Sequence, residues 1–206
     1  MIKAKHHFVI YPLFKWLTRL LVKRNFKKIV VEGKFEDNGN SILVIANHIS
    51  WWDGFWIMYL NLKILHRKVY FMMLDEQLKK HWYFQYTGGY SIKKKSRSII
   101  ESLDYTLGLL NNPNNLVFVF PQGEIKSLYN SAIDFEKGIQ WIIERSSPDQ
   151  QVIFMVNLPD YFSDSTPTLF IYIKSYPAGY LKDGATESEF REFYNHALQT
   201  QKIKVS

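Results

Sequence analysis

Cysteine is absent from this chain of 206 residues. That excludes a disulfide framework, a thiolate metal site and a cysteine nucleophile. Acidic side chains are missing from the first 28 residues. Several familiar catalytic signatures are missing too. There is no G-x-S-x-G elbow, no P-loop, no H-E-x-x-H and no G-x-G-x-x-G following a strand. The six histidines (His6, His7, His48, His66, His81 and His196) show no metal-ligand spacing. A hydrolytic triad, a nucleotide site and a zinc site all lose ground, and no metal is expected. Internal repeats and low-complexity stretches are also absent.

What is present is aromatic and apolar. Fifteen Phe, 13 Tyr and six Trp, within a chain that is 47% hydrophobic, exclude global disorder and suffice for a buried core. The net charge of +7 is local. Lys3, Lys5, Lys15, Arg19, Lys23, Arg24, Lys27 and Lys28 stand in the first 28 residues, while the remainder carries 18 basic and 19 acidic groups. Charge alone does not choose between nucleic acid and an anionic membrane. The surroundings do: residues 8–22 read FVIYPLFKWLTRLLV, mostly apolar. In a helix Lys15, Arg19 and Lys23 align every four residues, with Phe14, Trp16, Leu17 and Leu21 facing elsewhere. That pattern suits a basic amphipathic helix lying in a membrane interface. It is too short and too charged to span the roughly 20 residues that hydrocarbon requires. A core helix with a basic outer face is the alternative. Nucleic acid is not an expected partner.

Past residue 25 strands and helices alternate. Strands are expected at residues 26–35, 41–46 (SILVIA), 68–74, 88–92, 116–120 (LVFVF), 152–158 and 168–174. Helices are expected at 51–60 with Ser50 as N-cap, at 75–86, 96–110, 135–145 and 187–202. The expected fold is a single α/β domain, a mixed and largely buried sheet flanked by helices, preceded by the basic amphipathic helix. The division is residues 1–25 for the membrane-interface helix and 26–206 for the catalytic domain.

Two segments carry chemistry. Asn47-His48-Ile49-Ser50-Trp51-Trp52-Asp53 follows the strand SILVIA, and strand ends are where open α/β sheets hold ligands. A His five residues before an Asp across a strand-to-helix turn can join imidazole to carboxylate, leaving one ring nitrogen free to accept a proton. Taken alone, the pair is a weak signal and better suits a structural histidine. The second segment is Phe118-Val119-Phe120-Pro121-Gln122-Gly123-Glu124-Ile125-Lys126-Ser127, where a buried strand breaks at Pro-x-Gly. It presents an amide, a carboxylate, an ammonium and a hydroxyl, as an ordinary turn or as a loop for a polar head group.

Together the segments resemble the PlsC-type glycerolipid (lysophospholipid) acyltransferase family. NHISWWD resembles its NH-x4-D box and FPQGEIKS its FPEGTRS box, in the family's order and about 70 residues apart. Between them, residues 88–94 (GGYSIKK) stand where the family has G-x-I-F-I-x-R, and after the second box residues 135–138 (FEKG) stand at its F-K-x-G segment. The resemblance implies acyl transfer from acyl-CoA or acyl-carrier protein to a lipid hydroxyl, with no other cofactor and no acyl-enzyme. His48 is then the general base and Asp53 orients it. Lys94, Phe120, Pro121, Gln122, Gly123, Glu124, Lys126 and Ser127 are then substrate-binding. It also implies a peripheral protein on the cytoplasmic face of the cell membrane, with a membrane lipid as acceptor.

The chain departs from the family pattern in three places. Gln122 replaces the glutamate of FPEGTRS, and Glu124 follows it. Lysines, Lys126 and Lys94, replace two arginines and lose the bidentate fork for phosphate. The V-P-V type box near residue 153 lacks its proline. The departures fall on the acceptor side, so a lysophosphatidate, another lysolipid, an amino-acid lipid and a glycosylated or carotenoid-like lipid all remain open. A thioester hydrolase and an inactive lipid-binding protein on the same fold are the rivals.

Overall fold

Seven strands form one mixed sheet in a computed structural model of the chain, which describes residues 1–93, 98–130 and 133–205. The elements are α1 (Ile10–Asn25), β1 (Lys28–Glu32), β2 (Ile42–Ala46), α2 (Asp53–Leu60), β3 (Lys68–Leu74), α3 (Asp75–Lys80), β4 (Gly89–Ile92) and α4 (Ile99–Leu110). They continue with β5 (Asn115–Val119), α5 (Gly138–Arg145), β6 (Gln151–Asp160), β7 (Thr168–Pro177) and α6 (Ala185–Lys202). The strand order is β1-β7-β6-β2-β5-β3-β4. Strands β6, β2, β5, β3 and β4 are mutually parallel; β7 runs antiparallel to β6, and β1 parallels β7.

The sheet is apolar on both faces because both are covered. Leu43 and Ile45 of β2 point to one face, with Leu103 of α4, Ile142 of α5 and Phe190 of α6. Ile42, Val44 and Ala46 point to the other, with Val22 of α1 and Trp56 of α2. This alternation of a fully buried strand explains why SILVIA reads as a continuous apolar run. The α/β expectation is met, with a single mixed sheet between two helical layers.

Connections leave β2 and β5 toward opposite faces. Strand β2 leads through α2 to β3 on one side, and β5 leads through α5, on the other face, to β6 beyond β2. The C-terminal ends of β2 and β5 thus lie side by side, at the end of the sheet where open α/β folds take ligands.

Some local expectations need correction. Residues 75–86 are not one helix: α3 ends at Lys80 and a 3-10 turn spans Trp82–Tyr86. The tight turn puts Phe84 edge-on to Phe71 at 5.8 Å and to Phe14 at 6.1 Å, a packing that a continuing α-helix would rotate away. Gly89 permits it, since a Cβ there would sit 2.8 Å from the Phe84 carbonyl oxygen. Strand β1 stops at Glu32 because Gly33 turns at φ +108, with the Ile173 carbonyl 2.0 Å from where a Cβ would stand. Ser50 does not cap α2, which begins at Asp53; its hydroxyl accepts the Trp52 N–H at 3.1 Å.

Helix α1 also differs from its expected orientation. Phe14 and Leu21 pack inward with Tyr11, Thr18 and Val22. Lys15 turns in as well, half-buried with its ammonium 4.3 Å from the Tyr11 ring centroid. The outward face keeps Leu13, Trp16, Leu17 and Leu20 beside Arg19, Lys23 and Arg24. The helix thus has a core face and an exposed apolar, basic face. Among the described residues no helix is long and apolar enough to cross a membrane.

Candidate active site

The segment NHISWWD is fastened at both ends. Asn47 extends the β2–β6 ladder through its side chain: its amide donates to the Asn157 carbonyl at 3.1 Å and its oxygen accepts the Asn157 N–H at 2.8 Å. Asn47 and Asn157 are fully buried, so this clasp sets where the chain leaves the sheet. Neither role is legible from the sequence beyond the presence of a polar residue at the end of an apolar strand.

Asp53 opens α2 and reaches back over the turn. Its Oδ2 accepts from His48 Nδ1 at 2.8 Å, from the Ile49 N–H at 2.7 Å and from the Ser50 N–H at 2.9 Å. An acid in the first helical turn also suits the positive end of the helix dipole. Burial pushes the Asp53 carboxyl up from its ordinary range, while the bonds from His48, Ser50 and Ile49 pull it back. Its other oxygen, Oδ1, and the Trp56 indole Nε1 one turn along α2 are buried without a hydrogen-bond partner among the described residues. Asp53 is wholly enclosed, whereas the His48 side chain is 22% exposed. A carboxylate bound to Nδ1 leaves Nε2 as the nitrogen able to take a proton.

The loop after β5 supplies the second wall. The Phe120 ring stacks on the His48 imidazole, centroids 4.0 Å apart and planes 8° from parallel. Gln122 Oε1 accepts the His48 N–H at 2.7 Å, and the Lys126 N–H donates to the His48 carbonyl at 2.9 Å. The Gly123 N–H closes a turn onto the Phe120 carbonyl at 3.2 Å, with Gly123 at φ +66, and Pro121 is buried. Glu124 and Lys126 form an ion pair at 2.5 Å, which pushes the Lys126 ammonium pKa up. Ser127 is exposed, its hydroxyl accepting the Tyr129 N–H at 3.2 Å.

Phe120, Gln122 and Lys126 are therefore brought against His48, while Glu124 acts on Lys126 and Ser127 on its own turn. Lys94 lies outside the described residues. Sequence reasoning missed Asp75, which begins α3 on the same sheet edge. It pairs with Lys79 at 2.7 Å, and Lys79 holds its carboxyl below the ordinary range. Among the described residues no three His, Asp or Glu side chains converge as a metal site. A cavity walled by Ser41, Leu110 and Gln150 opens at the opposite edge of the sheet. There the Ser41 hydroxyl bonds the Leu110 carbonyl and the Gln150 amide.

With this geometry in hand, known proteins supply the context. The family model described as Acyltransferase matches residues 23–156, more than half of the chain. The crystal structure of the 1-acyl-sn-glycerophosphate (LPA) acyltransferase PlsC from Thermotoga maritima superposes with a TM-score of 0.69 at 18% identity. The alignment covers 95% of this chain and 81% of that one, a likeness of fold. No curated protein matches the chain.

Proposed function

This chain belongs to the Acyltransferase family, and from that premise we propose that it esterifies a hydroxyl of a lysophospholipid or related lipid alcohol. The acyl group comes from a thioester, acyl-CoA or acyl-carrier protein. The observation that carries the reading is the 2.8 Å contact of His48 with enclosed Asp53 at the C-terminal ends of β2 and β5.

The steps follow from that contact. His48 Nε2 accepts the proton of the acceptor hydroxyl as its oxygen attacks the thioester carbonyl. Asp53 holds the Nδ1 proton and stabilises the imidazolium that forms. The tetrahedral intermediate then collapses, the C–S bond breaks, and the leaving thiolate takes the proton from His48 Nε2. No serine or cysteine nucleophile is involved, and the acceptor oxygen itself forms the new ester bond. Gln122 and the Lys126 main chain hold the His48 backbone, and the stacked Phe120 ring holds its imidazole, for this transfer.

The acceptor is a lipid, and the same reading makes the protein peripheral to the cytoplasmic face of the cell membrane. Support comes from the outer face of α1, where Trp16 is 57% and Leu13 55% exposed beside Arg19, Lys23 and Arg24. Apolar side chains among acyl chains with cations at lipid phosphates match that composition.

Product analysis tests the reaction. Purified protein, an acyl thioester and a membrane-lipid extract should yield free thiol in step with a lipid gaining one acyl chain. Free fatty acid in place of that ester would identify a hydrolase, with His48 activating water.

A further inference from the structure

The C-terminal ends of β2, β5, β3 and β4 lie side by side in that order and in parallel. Read outward from His48, this edge carries Gln122, then Glu124 and Lys126, then Asp75 and Lys79, then Lys93. Gln122 stands where the resembled box has glutamate, and its neutral amide is committed to the His48 N–H. The carboxylate of this loop is instead Glu124, and it faces Lys126 at 2.5 Å. On the neighbouring strand end Asp75 faces Lys79 at 2.7 Å, and Lys93 adds to the pull on the Asp75 carboxyl. Lys126 and Lys79 on this edge thus sit beside carboxylates.

From this arrangement we infer that the acyl acceptor has a head group of no net charge, and that the Glu124–Lys126 pair selects against a phosphate monoester. The inference rests on the acyltransferase reading above. A phosphate monoester brings a charge of about −1.5 to −2. At this edge it meets exposed Glu124 as well as the lysines, and it must displace Glu124 to engage Lys126. Like charges set together across a recognition surface weigh against the wrong partner. A hydroxylated or zwitterionic head group meets no such conflict. Its hydroxyls or ammonium donate to Glu124, and its oxygens accept from the lysines.

Three acceptors test it in mixed micelles with one acyl thioester: lysophosphatidate, lysophosphatidylethanolamine and a glycosylated lipid alcohol. The expected kcat/KM for at least one net-neutral acceptor exceeds that for lysophosphatidate roughly tenfold or more, and the leader names the head group. Glu124→Gln releases Lys126 and raises the lysophosphatidate-to-neutral ratio by roughly five- to tenfold. Glu124 is 61% exposed, so the fold tolerates the change. Lysophosphatidate equal to or better than both others, or a ratio unmoved by Glu124→Gln, overturns the inference while leaving the acyltransferase reading intact. Transfer to none of the three overturns that reading and the inference together.

Discussion

Gln122 offers a perturbation in which geometry and charge separate cleanly. Its Oε1 accepts the His48 N–H at 2.7 Å, one of three tethers from the β5 loop, with the stacked Phe120 ring and the Lys126 main chain. Gln122→Met keeps the length and removes the acceptor. A half-buried N–H left unpaired costs about 1–2 kcal/mol. If that cost appears as lost positioning, kcat falls roughly 5- to 30-fold with little change in KM. Gln122→Glu keeps the hydrogen bond and adds a negative charge. At an effective dielectric of 20, unit charges a few ångströms apart attract by roughly 2–4 kcal/mol. Partial exposure screens this to about 1 kcal/mol. A negative charge favours imidazolium, and only neutral imidazole acts as base. The acidic limb of the kcat/KM profile should therefore move up by roughly half to one pH unit. The assay is thiol release at saturating donor from pH 5 to 9. A Met variant with wild-type kcat refutes Gln122 as a residue that positions His48, and a Glu variant with an unmoved acidic limb refutes neutral His48 as the base.

Three other perturbations follow from the structure. Asp53→Asn removes the charge proposed to support imidazolium and is expected to cut kcat by roughly 10³–10⁴-fold. Its thermal midpoint should hold or rise, because burial disfavours the Asp53 charge; a variant above a tenth of wild-type activity contradicts the assigned role. His6 donates from Nε2 to the Val69 carbonyl at 2.9 Å and is pushed down by burial from 6.5 to about 4. The unfolded chain binds that proton first, so stability present above pH 6.5 is lost as pH falls toward 4, about 1–2 kcal/mol after allowing for partial exposure. His6→Gln should flatten this slope in denaturant melts at pH 7 and 4.5, and equal slopes would exclude His6 as its source. Changing Arg19, Lys23 and Arg24 together to Ser should cost about 3 kcal/mol of binding to anionic vesicles, roughly a hundredfold in partitioning. Flotation at low salt that matches wild type would assign α1 to the core alone.

The sheet was legible because its strands are buried on both faces and therefore read as unbroken apolar runs, LVFVF and SILVIA above all. The meeting of His48 with Asp53 was legible because five residues spanning a strand-to-helix turn leave few ways to separate them. The contacts that lock this segment were not, since Gln122 lies 74 residues from His48 and Asn157 lies 110 from Asn47, and only the sheet order adjoins them. Periodicity misjudged α1 for a related reason. A four-residue stripe of cations says which side chains share a face, but not that Tyr11 draws Lys15 inward. At residues 81–86 the aromatic run reads as helix, and it is Phe84 docking between Phe14 and Phe71 that tightens it to a 3-10 turn.

The central claim is that His48 takes the proton of a lipid hydroxyl. The most direct test runs wild type and His48→Ala side by side with an acyl thioester and total membrane lipids, following free thiol and lipid products by mass spectrometry. The account predicts a lipid that gains one acyl chain in the wild-type reaction only, with the variant folded and bound to vesicles as before. Substantial turnover by His48→Ala would contradict it.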